Sequence, residues 1–241
     1  MHRRRQLVLL LGGMAVASAQ AQTCTVAVDI GHSRAHPGAT SARGVDEWQF
    51  NAALARVVVP ALAARGLLVA VINPAGDDWQ LEQRPRAAQA AGARLLVSLH
   101  HDAVQPQYLS SWTWNDREQR YSDAFRGYGL FIAANAQQPR SLLAATLLAD
   151  ALRQRGFAPS LHHAEPIPGE GRRLLDSARG IYRFDDLVVL REATMPAVLL
   201  EAGVIVHRDE EREMTAPAVQ GKIAAAVASA AQAYCDSIKG L

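Results

Sequence analysis

Short apolar runs alternate with helix-patterned stretches from Thr25 to Tyr234, and this alternation constrains the fold more than any other feature. Residues 25–30, 67–72, 94–100, 128–133, 186–190 and 197–201 read as strands. Between them lie helical patterns. Residues 47–65 carry Phe50, Leu54, Val57, Val58 and Leu62 near helical spacing and stop at Gly66. Residues 83–91 end near Gly92, residues 140–155 stop at Gly156, and residues 218–234 close the chain. Strands separated by helices pair mainly in parallel. The expectation is a single α/β domain, a mostly parallel six-stranded sheet flanked by helices on both faces. In such sheets functional groups collect at the carboxyl ends of the strands. Two segments, 104–127 and 158–185, lack this patterning and read as long loops, the kind that tends to be functional or mobile.

The first residues stand apart. In "MHRRRQLVLLLGGMAVASAQAQ", Arg3, Arg4 and Arg5 precede a short apolar run and two small-residue cleavage patterns, Ala17-Ser18-Ala19 and Ala19-Gln20-Ala21. This reads as an export signal over residues 1–21, leaving 22–241 as the working domain. The apolar run is too short for a convincing membrane span, so no stable membrane insertion is expected after cleavage. Removing the three arginines from 25 Lys+Arg leaves 22, against 23 Asp+Glu. The basic excess therefore belongs to the leader, and a nucleic-acid surface is not expected. Cys24 and Cys235 are the two cysteines; in an exported chain such a pair favours a disulfide over two buried thiols.

Chemistry-bearing residues stand at the strand exits. "VAVDIGHS" delivers His32 after the first strand, Glu47 begins the next helix, and "LLVSLHHDA" places His100 at the end of the third strand. Two imidazoles and one carboxylate suit Zn2+, and three protein ligands leave a position for water. Each residue alone has an ordinary reading: a hydrogen-bonded loop histidine, a glutamate complementing a helix N-terminus, a satisfied edge histidine. His100 and His101 point to opposite sides of a strand, and strand geometry does not say which one faces the site. In "MPAVLLEAG", Glu201 follows a buried run and has two readings, a solvated strand end or a general base.

Four blocks together resemble a known family, the zinc-dependent N-acetylmuramoyl-L-alanine amidases of the Amidase_3 type, which cleave bacterial peptidoglycan. "VAVDIGHS", "GVDEWQFNAALA", "LLVSLHHDA" and "VLREATMPAVLLEAG" occur in the family's order, and the likeness runs from about Thr25 to Ala233. The resemblance implies that His32, Glu47 and His100 are the zinc ligands, selects His100 over His101, and makes Glu201 the catalytic glutamate. It implies hydrolysis of the amide between N-acetylmuramic acid and L-alanine, with peptidoglycan or a muropeptide as substrate, in the periplasm or outside the cell. Asp29 and Asp102 have two readings, orienting the ligand imidazoles or, as strand-end residues, capping turns. Ser33 and the run Val204-Ile205-Val206-His207 depart from the family pattern beside the chemistry and leave substrate contacts open. His162, His163, Glu165 and Glu170 lie outside the recognised pattern, as residues that shape peptide specificity or as surface loop. The aromatic segment from Tyr108 to Tyr121 reads equally as a sugar-stacking surface and as a satellite hydrophobic cluster. A zinc carboxypeptidase-like peptidase and a non-catalytic wall-binding protein are the alternative readings. No separate wall-binding domain is visible, which leaves room for a protein activator of unknown identity.

Overall fold

The computed structural model describes residues 24–239. The expected signal at residues 1–21 lies outside the described residues. In chain order the elements are β1 (Thr25–Ile30), α1 (Glu47–Ala63), β2 (Leu68–Ile72), α2 (Gln83–Ala90), β3 (Leu95–Asp102), β4 (Ser110–Trp114), β5 (Arg117–Tyr121), β6 (Gly129–Ile132), α3 (Gln138–Arg153), β7 (Arg173–Asp176), β8 (Ile181–Arg183), α4 (Val188–Arg191), β9 (Ala197–Val204), α5 (Glu210–Thr215) and α6 (Pro217–Ser237).

Seven strands form the main sheet in the order β2-β1-β3-β9-β6-β8-β7. The β1–β2, β1–β3, β3–β9 and β6–β8 pairs are parallel; β6–β9 and β7–β8 are antiparallel. The strand period of two divides the core. Val26, Val28, Ile30, Leu99 and Leu200 face α1, α3 and α6, whereas Ala27, Leu96 and Leu199 face the smaller layer built from α2 and α4. The expected α/β architecture with helices on both faces is present.

Two expectations need correction. The sheet has seven strands rather than six, because the segment read as a loop over 158–185 contributes β7 and β8 at one edge. These strands have only four and three residues, too few to display a period. Residues 186–190 do not form a strand. They lead into the single helical turn of α4, which buries Val189 and Leu190 against the sheet. A short apolar run fits either state, and here packing selected the helix.

The second long segment, 104–127, holds a separate two-stranded hairpin, β4–β5. Asn115 and Asp116, at its turn, both have positive φ, 50° and 59°. That backbone matches the twist of a tight antiparallel hairpin, and asparagine and aspartate tolerate it better than most residues. Cys24 and Cys235 are disulfide-bonded, tying the start of β1 to α6. Among the described residues, no helix is long and apolar enough to cross a membrane.

Candidate active site

The carboxyl ends of β1, β3 and β9 meet beside the first turn of α1. β1 ends at Ile30, and the Gly31 amide bonds to the Leu99 carbonyl, so the chain leaves the sheet at His32. His32 has φ 66°, a left-handed backbone that L-residues rarely adopt. A buried arginine supports this turn. Arg84 Nη1 donates to Asp29 Oδ1 at 2.9 Å and to the Ile30 carbonyl at 2.6 Å, while Nη2 donates to the His32 carbonyl. Asp29 also accepts from Ser98 Oγ at 2.6 Å. Asp29 is thus committed to Arg84 and Ser98, and of its two readings the orienting of a site imidazole is not the one it takes.

The loop after His32 returns the chain to Glu47. Glu47 is buried at 4% exposure, and both its oxygens are used. Oε2 lies 2.9 Å from His32 Nε2 and accepts the Ala39 amide at 3.1 Å. Oε1 lies 3.0 Å from His100 Nδ1 and accepts from Asn51 Nδ2 and the His101 amide, each at 3.2 Å. Burial alone would raise the Glu47 pKa; hydrogen bonds and the charges of His100 and His32 hold it well below the usual carboxylate range. Ligand-capable atoms of His32, Glu47 and His100 all lie within 4.8 Å of one another. Gly31 and Gly38 make this convergence possible: a Cβ at Gly31 would collide with the His100 ring, and one at Gly38 with Glu47 and His32. The donor set of two imidazoles and one ionised carboxylate fits Zn2+.

His101 points to the other side of β3. Its ring packs on Phe50, and Nδ1 lies 2.8 Å from Asn51 Oδ1. Burial drives its pKa down to about 4, and the opposing charge of Glu47 does not reverse this. The structure therefore brings His100, and not His101, to His32 and Glu47.

Glu201 stands on β9 directly beside His100 and opposite Gly129 of β6. Its Oε2 is buried with no hydrogen-bond partner. Burial, followed by the charges of Asp102 and Glu47, raises its pKa well above the ordinary value. Glu47 and Glu201 line one cavity of about 280 Å³ together with Asp102, His163 and Glu170. His32 and His100 line another, of about 450 Å³, whose wall includes Trp79, Leu81 and Val188. The ligand-capable group therefore borders both a chamber of mixed polar and apolar lining and a second, largely apolar one.

Asp102 does not orient a ligand imidazole either: its Oδ2 lies 2.8 Å from His163 Nε2. His162 is buried at 3% exposure, so the surface-loop reading does not hold for it. The aromatic segment divides. Tyr108 joins Phe125 around Val104, Val204 and Val206. Trp112 stacks on Trp114, and Arg43 and Arg208 lie over the hairpin's rings. The role of Arg84 was missed at the level of sequence, because nothing in its helix announces a buried charge. Its signal was the unpaired Asp29 within an apolar strand, which needs a cationic partner when buried.

Solved structures of similar fold include cell-wall amidases. The catalytic domain of CwlV, an N-acetylmuramoyl-L-alanine amidase from Bacillus (Paenibacillus) polymyxa var. colistinus, is 25% identical with a TM-score of 0.66, covering 89% of this chain and 99% of that one. An N-acetylmuramoyl-L-alanine amidase from Clostridium difficile 630 is 22% identical with a TM-score of 0.69, covering 90% and 98%. The CwlD amidase from Clostridioides difficile, solved in complex with the GerS lipoprotein, is 19% identical with a TM-score of 0.67, covering 89% and 100%. The last two similarities speak for the fold alone. No curated protein matches the chain. The family model for N-acetylmuramoyl-L-alanine amidase, Amidase_3, matches residues 26–233, and the chain belongs to that family.

Proposed function

We propose that residues 22–241, after removal of an export signal at 1–21, form a Zn2+-dependent hydrolase acting in the periplasm or outside the cell. Its reaction is cleavage of the amide between N-acetylmuramic acid and L-alanine in peptidoglycan or muropeptides. The observation that carries this reading is the convergence of His32, Glu47 and His100 beside Glu201, whose Oε2 is buried and unpartnered. Family membership supports the reaction class.

His32 Nε2, the Glu47 carboxylate and His100 Nδ1 would hold the ion. When bound, zinc supplies Lewis acidity for the scissile carbonyl and lowers the pKa of a water toward neutrality. Glu201 provides the proton traffic. Its carboxylate takes a proton from the attacking water and returns it to the departing amine of L-alanine. The enclosure that raises its pKa makes proton capture favourable and holds the proton until the amine accepts it. Glu47 remains ionised, held by its hydrogen bonds, and so keeps the role of ligand distinct from that of base. In this reading the two cavities on either side of the group receive the two sides of the scissile bond. A protein partner also fits the reading, as the structurally similar CwlD was solved with a lipoprotein.

The test is digestion of purified peptidoglycan by the purified protein, with and without a chelator. A new L-alanine amino terminus, intact glycan, and loss of release on chelation are expected. Release of other amino termini, or chelator-insensitive cleavage, would overturn the reading.

A further inference from the structure

A second group of metal-capable atoms, belonging to Asp102, His162 and His163, is as compact as the first: all lie within 4.8 Å of one another. His163 Nε2 is 2.8 Å and His162 Nε2 is 3.3 Å from the same atom, Asp102 Oδ2. The two rings lie against each other with centroids 3.9 Å apart, so their Nε2 edges meet one carboxylate. The far nitrogens are tied down separately. His162 Nδ1 is 2.8 Å from Ser160 Oγ, and His163 Nδ1 is 2.9 Å from Glu170 Oε2. Partners on the far nitrogen fix ring orientation and tautomer, as they do for histidines that ligate metals.

Two further observations point to a cation. His162 is 3% exposed, and its Nε2, aimed at Asp102, has no hydrogen-bond partner. Such an orphaned buried nitrogen calls for an explanation. In addition, Asp102, Glu170 and Glu201 line one cavity with His163. Arg172 lines it too, but its guanidinium donates to the Gly169 and Glu170 carbonyls and stacks over Phe184. The irregularity in the β3–β9 pairing between His100 and Asp102 separates the two groups: His100 turns to Glu47, and Asp102 turns to the histidine pair.

We propose that Asp102 Oδ2, His162 Nε2 and His163 Nε2 bind a second divalent ion of the zinc class, beside Glu201 and distinct from the His32–Glu47–His100 group. Two imidazoles and a carboxylate are again the donors, and they leave at least one coordination position for water or a substrate oxygen.

The experiment is Zn2+ titration of the metal-stripped full chain, with bound metal counted after dialysis and folding followed by circular dichroism. Wild type should bind two equivalents. His100→Ala should bind one, and so should His163→Gln or the milder Asp102→Asn. The wild-type count needs no variant and decides the matter even if a substitution unfolds the chain. One equivalent in wild type, lost in His100→Ala, would overturn this second site and leave the proposed function standing. One equivalent kept in His100→Ala but lost in His163→Gln would support the second site and remove the first.

Discussion

Glu201 stands in register with His100 across the parallel β3–β9 pair, and its Oε2 is buried with no hydrogen-bond partner. A carboxyl oxygen left unpartnered in a cleft, with its pKa raised, is suited to carrying a proton. Glu201→Gln keeps the shape and removes the titrating group. The variant should retain its metal while turnover on peptidoglycan falls about 10²–10⁴-fold. Metal content and the rate of L-alanine amino-terminus release, measured on one preparation, check this.

His100 and His101 are adjacent in sequence but lie on opposite sides of β3. His100→Ala should abolish metal binding at the His32–Glu47 group, because its Nδ1 is the side chain that reaches Glu47. His101→Ala should keep it, since that ring is turned toward Phe50 and Asn51. Equilibrium dialysis against Zn2+ separates the two outcomes, and loss of metal in His101→Ala alone would reverse the assignment.

Arg84 and Asp29 form an ion pair with side chains 3% and 0% exposed. Arg84→Met leaves a buried carboxylate unpaired and frees the carbonyls of Ile30 and His32. A destabilisation of about 3–5 kcal/mol is expected from the broken pair. Metal affinity should weaken as well, because the His32 backbone loses its support. Lysine should rescue poorly, since one ammonium cannot reproduce the planar fork that meets three oxygens. Urea unfolding and Zn2+ titration of both variants are the measurements.

His101 makes stability depend on pH. Its folded pKa, about 4, lies below the ordinary histidine value because burial disfavours the charged ring. Between pH 4 and 6.5 the unfolded chain binds the extra proton, so stability falls as pH drops through this window. The full shift is worth about 3 kcal/mol. In chelated protein, His101→Gln should flatten this part of the curve of unfolding free energy against pH.

The Cys24–Cys235 bond closes a sequence separation of 211 residues. A loop that long removes considerable freedom from the unfolded chain. Replacing both cysteines by serine should cost about 2–5 kcal/mol. The denaturation midpoint should fall while metal stoichiometry is unchanged, because the bond lies at the start of β1 and not at its exit.

The architecture was legible wherever periodicity had room to show. β1, α1, β3, α3, β9 and α6 stand close to where their apolar spacing predicts them, since burial on one face or two imposes that spacing directly. β7, β8 and α4 were misread because three or four residues carry no period. Their states were set by what lay beside them: β6 as a pairing edge for β8, and the smaller core layer as a bed for Val189 and Leu190.

At the site, the sequence by itself determined that His32 follows the first strand, that His100 and Glu201 lie toward the carboxyl ends of two others, and that Glu47 opens the following helix; it ended both strands early, since β3 runs on to Asp102 and β9 to Val204. Local periodicity and turn chemistry are enough to place strand ends to within a few residues. Only the tertiary structure decided which atoms meet. It turned His100 and not His101 toward Glu47, gave Asp29 to Arg84, and drew Asp102 from the ligand group to His162 and His163. Such pairings join residues more than fifty positions apart. They depend on strand register, a bulge and the packing of helices on both faces, which no local pattern encodes.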